Sequence, residues 1–135
     1  MLLASGSWGR ADAQSKKDVL TLYVSPGGND LWSGKFPTPN PAKNDGPFAT
    51  LEKARNEIRK WKKENRFPKG GVIVEVEGGT YSLSHPFELK SEDSGKPDAP
   101  IIYQAHKGET VRIMGGKEVG NWEEVKDPAI LSQLP

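Results

Sequence analysis

A chain of 135 residues with 34% hydrophobic residues and a mean hydropathy of -0.67 fits one lean domain. Its formal net charge of +1 argues against a general nucleic-acid binder. The absence of cysteine excludes disulfides, thiolate metal sites and a cysteine nucleophile, and no apolar run approaches the ~20 residues needed to span a membrane. Charge is uneven: residues 52–69 carry eight Lys/Arg against three Glu. A basic helix face of this kind is ordinarily a solvated one.

The first residues, Met1-Leu2-Leu3-Ala4, are too short a run for a complete signal-peptide core, and no basic segment precedes them. Ala11-Asp12-Ala13 before Gln14 nevertheless looks like a small-x-small cleavage site. Residues 1–17 therefore read as a disordered leader, the tail of a signal peptide. The fold is expected within residues 18–135.

Leu20-Thr21-Leu22-Tyr23-Val24 alternates and is rich in β-formers, so it reads as a strand. Ser25-Pro26-Gly27-Gly28-Asn29-Asp30 ends it with turn chemistry. A Pro/Asn/Gly-rich surface loop follows over 31–47. The spacing of Leu51, Ala54, Ile58 and Trp61 then predicts a helix with one narrow apolar stripe, capped by Thr50 and stopped between Asn65 and Gly71. Such a helix lies on something apolar along one edge only, as a lid does. Val72–Glu77 reads as a strand with Val72, Val74 and Val76 on one face. Gly78-Gly79 is expected to turn the chain. Strand-like runs recur at 86–89, 101–104 and 111–114, and two successive steps together span roughly 25–28 residues, in the general range of solenoid repeats. An antiparallel sandwich competes, but no two-residue Asn-Gly or Asp-Gly hairpin links consecutive strands.

Several stretches together resemble the N-terminal region of secreted right-handed parallel β-helix, pectin-lyase-like proteins. They are Tyr23-Val24-Ser25-Pro26-x-Gly28-x-Asp30, Gly46-Pro47-Phe48-Ala49-Thr50-Leu51-x-x-Ala54-Arg55, Val74-x-Val76-x-Gly78-Gly79-Thr80-Tyr81, Glu92-Asp93-Ser94-Gly95, and Gly115-Gly116-x-x-Val119-x-Asn121-Trp122. The nearest likeness is to bacterial β-helix glycoside hydrolases. It implies a mainly β fold, an N-terminal helical cap plus the first coils of a right-handed parallel β-helix solenoid. It implies a secreted, periplasmic or cell-surface protein whose parent acts on polysaccharide. The parent's catalytic carboxylates are expected in later coils, so none is assigned here. The resemblance implies an incomplete portion, inactive by itself, whose partners are the missing C-terminal coils of the same chain. A non-catalytic polysaccharide- or surface-binding module and a polysaccharide lyase parent are the alternatives.

The residues themselves agree that chemistry is sparse. Glycosidic cleavage uses two carboxylates separated by ~5–9.5 Å. Glu75 and Glu77 share a strand face about 7 Å apart by strand geometry, but read as solvent-facing. Glu92 and Asp93 read as turn caps, and Asp30 as a turn residue. His85 and His106 lack metal-ligand spacing, and no acidic cluster has the pattern of a Ca²⁺ loop, so neither metal nor cofactor is expected. Trp61 reads as buried and Trp122 as packed on the last coil. Trp32, in the long loop, is the candidate carbohydrate-stacking residue. Nucleic-acid and membrane partners are not expected.

Overall fold

The computed structural model describes residues 18–116 and 119–133. The leader reading of residues 1–17 lies outside the described residues. In chain order the elements are β1 (Leu20–Val24), α1 (Leu51–Lys63), β2 (Val72–Val76), β3 (Gly79–Ser82), a 3-10 turn at Ser91–Asp93, β4 (Ile101–Ala105), β5 (Val111–Met114) and α2 (Pro128–Leu131). Strands β1, β2 and β4 form one small sheet in that order, and β3 pairs with β5 in a second. All pairings between these strands are parallel, which removes the antiparallel sandwich. Val72 pairs with Ile101 and Gly79 with Val111, a step of about 30 residues that falls within the range of stacked repeats.

The alternation expected of β2 holds. Val72, Val74 and Val76 are buried, and Ile73 and Glu75 are half-buried on the other face. Leu22 and Val24 of β1 sit in register beside Val74 and Val76, so like faces stack. With Phe48, Tyr81 and the helix stripe they make one core. Each such buried aliphatic or aromatic side chain contributes roughly 1.5–3 kcal/mol. Tyr81 keeps its hydroxyl satisfied by donating to the Val24 and Glu77 carbonyls at 3.2 and 2.8 Å. Burial pushes its phenol up to about 12.

The run at 86–89 is not a strand, contrary to expectation; β3 takes that place, starting at Gly79. Side chains hold 86–89 instead. Arg55 donates to the Glu88 carbonyl at 2.8 Å and lies over the Phe87 ring, and Phe87 meets Tyr103 edge-on at 5.8 Å.

Helix α1 buries Leu51, Ala54, Ile58 and Trp61 and no others, as its spacing predicts. Thr50 caps it, accepting from the Lys53 amide at 3.2 Å. It ends at Asn65, whose φ of 55° suits a short polar side chain, with the Arg66 amide returning to the Trp61 carbonyl at 2.7 Å.

The 31–47 loop does more than cross the surface. The Tyr23 amide donates to the Gly34 carbonyl at 2.8 Å, and Phe48 pairs with Val24, so the loop's two ends close the outer edge of β1. Gly34 has φ 70°, and a Cβ there would come within 2.4 Å of the Phe48 ring, so glycine is required on both counts. Asp30 then ties loop to helix. Its Oδ1 accepts from the Ala49 and Thr50 amides at 2.9 and 3.0 Å, and its Oδ2 from the Thr50 hydroxyl at 2.8 Å. Asp30 is thus a clasp for the helix cap rather than a simple turn residue.

Asp93 plays a similar part on the next connection. Its side chain is 4% exposed and accepts from Arg59 Nε and Nη2 at 2.7 and 2.6 Å and from the Lys90 amide at 2.7 Å. The Arg59 guanidinium holds its carboxyl at about 2, well below the usual range. A lowered folded-state value stabilises fully above the unfolded value of about 3.9. That stabilisation is lost as pH falls through about 2.

Two mutations test these clasps by urea denaturation. Asp30→Ala should cost about 2–3 kcal/mol, more than the ~1 kcal/mol of Thr50→Ala, because it orphans two amides as well as the cap hydroxyl. Asp93→Asn should cost about 2 kcal/mol at neutral pH and flatten the loss of stability between about pH 4 and pH 2. An unchanged acid limb in that variant would refute the assignment.

Candidate functional site

On the face of the first sheet opposite the core, the parallel register sets Glu75 beside Gln104. The residue two further along the same face is His106, so Glu75 and His106 become diagonal neighbours. His106 Nδ1 lies 3.0 Å from Glu75 Oε2. Together with Tyr23, Glu77, Glu109 and the loop residues Pro37 and Thr38 they line a surface cleft of about 220 Å³. The hydrogen bond from Glu75 raises the His106 imidazole above its ordinary range, and the charges of Glu109 and Glu77 act in the same direction. Glu109 accepts from the Gly78 amide. Sequence reading found the two glutamates on one strand face. It did not find their histidine, because that pairing depends on register between strands about 30 residues apart.

Two carboxylates of the cleft are already paired. Glu75 is committed to His106, Glu109 to a backbone amide, and the His106 side chain is 50% exposed. Among the described residues no group of three His, Asp or Glu side chains could hold a metal ion. His85 sits apart from His106, exposed, with Ser84 Oγ 3.0 Å from its Nδ1.

A second cleft, of about 500 Å³, was not visible in the sequence. It lies between the first turn of α1 and the chain from β3 to Pro86, with Glu52, Arg55, Thr80, Ser82 and His85 among its polar lining.

The tryptophans separate clearly. Trp61 is buried in the core, as expected. Trp32 is half-buried: its ring edge and Pro39 both crowd Gly46, on the same loop that lends Pro37 and Thr38 to the acidic cleft. The loop is fastened beneath it by Asp45, which accepts from the Ser33 amide and hydroxyl at 2.7 and 3.0 Å. The hydrogen bond from the Ser33 amide is the largest cause lowering the Asp45 carboxyl's affinity for a proton, and the Ser33 hydroxyl and Gly46 amide act in the same direction. Trp122 is 84% exposed, contrary to the expectation that it packs on the last coil. No strand among the described residues lies under it.

Burial also changes across the sheets. The β1 side is covered by α1 and the loop, whereas the residues of β4 and β5 are at most half-buried. There Val76, Phe87, Leu89, Tyr103, Val111 and Ile113 line an apolar opening of about 220 Å³, with Leu89 and Ile113 each 54% exposed.

Among solved structures, a protein named glycoside hydrolase superposes with a TM-score of 0.66 at 33% sequence identity. The chain has a glycoside-hydrolase-like fold. The match covers 79% of this chain but only 17% of that one, so the chain spans about a sixth of its neighbour's length. No protein-family model matches the chain, and no curated protein matches it. No helix among the described residues is long and apolar enough to cross a membrane.

The His106–Glu75 pair is testable by NMR. The His106 ring should titrate with a midpoint above the ~6.5 of a free imidazole, and Glu75→Gln should lower it. Because the folded-state value is raised, the pair's stabilisation is present below the unfolded value and is lost as pH rises through the folded one.

Proposed function

We propose that residues 18–135 form the N-terminal cap and first coils of a right-handed parallel β-helix, of the pectin-lyase-like kind, in an exported carbohydrate-active protein whose parent is a glycoside hydrolase. The observation that carries this is the 33% identity, over 79% of this chain, to a glycoside hydrolase of which the chain spans only 17%. The parallel strands stepping by about 30 residues support it. So does the apolar opening at β4 and β5, because coils of a solenoid bury their inner faces only against neighbouring coils. In this reading α1 and the 31–47 loop close one end of the stack, and further coils of the same polypeptide cover the other. The carboxylates that cleave the glycosidic bond belong to those further coils, and the described residues serve folding. Trp32 offers a ring edge to sugar at the cap.

Two experiments test the reading. The coding sequence beyond codon 135 should continue with short apolar strands at the same step; an immediate stop codon would overturn it. On a glycan array the chain should bind plant or algal polysaccharide weakly, and Trp32→Ala should abolish the signal. A silent array, or a signal unchanged by that substitution, would remove Trp32 from the binding surface.

A further inference from the structure

The cations of α1 and the turn after it are not evenly neutralised. Arg59 is taken up by Asp93 and Glu92, Lys53 pairs with Glu57, and Arg66 with Glu64. Lys60, Lys63, Lys69 and Lys96 are all exposed, the last two beside Asp98. Lys62 is held in place by the carbonyls of Glu92 and Ser94, both at 2.7 Å, which orient its ammonium without cancelling its charge.

These residues border two hollows on opposite flanks of the last turns of α1. One, of about 400 Å³, is lined by Arg59, Lys60 and Lys63 against Glu64. The other, of about 650 Å³, is lined by Lys62, Lys69 and Lys96 against Asp98, with the Phe67 ring beside them. A helix with its side chains is about 10 Å across, so one small anion cannot fill both hollows. The carbonyl end of the helix carries roughly half a negative charge, too little to balance the surplus. The charge is also segregated, since Glu75, Glu77 and Glu109 lie together in their own cleft.

We infer that this face of the cap binds a polymer carrying repeated anionic groups, an acidic polysaccharide whose carboxylates or sulfates occupy both hollows at once. Bridging two sites gives avidity that neither hollow has alone. The choice of a carbohydrate over a nucleic acid rests on the carbohydrate-active reading and on the chain's net charge of only +1.

Affinity electrophoresis of the whole chain in gels containing polygalacturonate provides the test. Retardation should be strong in about 0.05 M salt and vanish by about 0.5 M, since exposed charges are screened. Fully methyl-esterified pectin should not retard the chain. Lys60→Gln/Lys63→Gln and Lys69→Gln/Lys96→Gln should each weaken binding by about tenfold, the order expected on losing two exposed ion pairs. Lys35→Gln/Lys107→Gln, an equal charge change elsewhere, should leave it intact. All these lysines are exposed, so circular dichroism should be unchanged. The inference is overturned by absent retardation, by equal binding of the esterified polymer, by Gln variants that bind like the wild type, or by tighter binding of single-stranded DNA. Any of these outcomes leaves the coil reading standing, because that rests on the apolar opening and the fold.

Discussion

Parallel pairing is the constraint on which the rest of this structure depends. Two parallel strands cannot be joined by a tight hairpin, so each pairing requires a long connection. The connection from β1 to β2 therefore has room for the 31–47 loop and α1, and the connection from β2 to β4 for β3 and the 3-10 turn at Ser91–Asp93. Each connection needs its own fastening, since backbone ladders hold only the strands. Asp30 supplies it for the first by clasping Ala49 and Thr50, and Asp93 for the second by gripping Arg59. The two carboxylates that read as turn and cap residues thus act as structural clasps. Non-local pairing of this kind also places the domain among slow folders.

Covering is asymmetric for the same reason. The edge of β1 is closed by Gly34 and Phe48, and its core face by the stripe of α1. At β4 and β5 the apolar residues Leu89, Ile102 and Ile113 stay substantially exposed. Scattered apolar residues on a surface mean little, but Leu89 and Ile113 line one opening together with Val76, Tyr103 and Val111. Charge follows a matching division, with lysines on the far side of the helix and glutamates on the outer face of the sheet.

How much of this was legible in the sequence depended on range. Leu51, Ala54, Ile58 and Trp61 announced the helix and its buried face because both follow from a period within a single segment. The alternation of Val72–Val76 did the same for β2. The 86–89 run misled because its apolar residues, Phe87 and Leu89, have strand spacing while Arg55 and Tyr103 claim the segment for side-chain packing. Trp122 misled because a tryptophan is expected to be covered, whereas its side chain is exposed. Glu75 was noticed but its partner His106 was not, and the cleft between α1 and the β3–Pro86 segment gave no local signal at all.

By itself the sequence determined the helix with its buried stripe, the alternating strand faces and the thiol-free chemistry, because these are properties of composition and short periods; the likeness to carbohydrate-active β proteins rested on resemblance of its motifs to a family. Only the tertiary structure decided that the strands run parallel, that Asp30 and Asp93 are clasps, and that Glu75 meets His106. Those outcomes join segments from about 20 to more than 30 residues apart, and between strands a shift of one residue would turn every side chain to the opposite face.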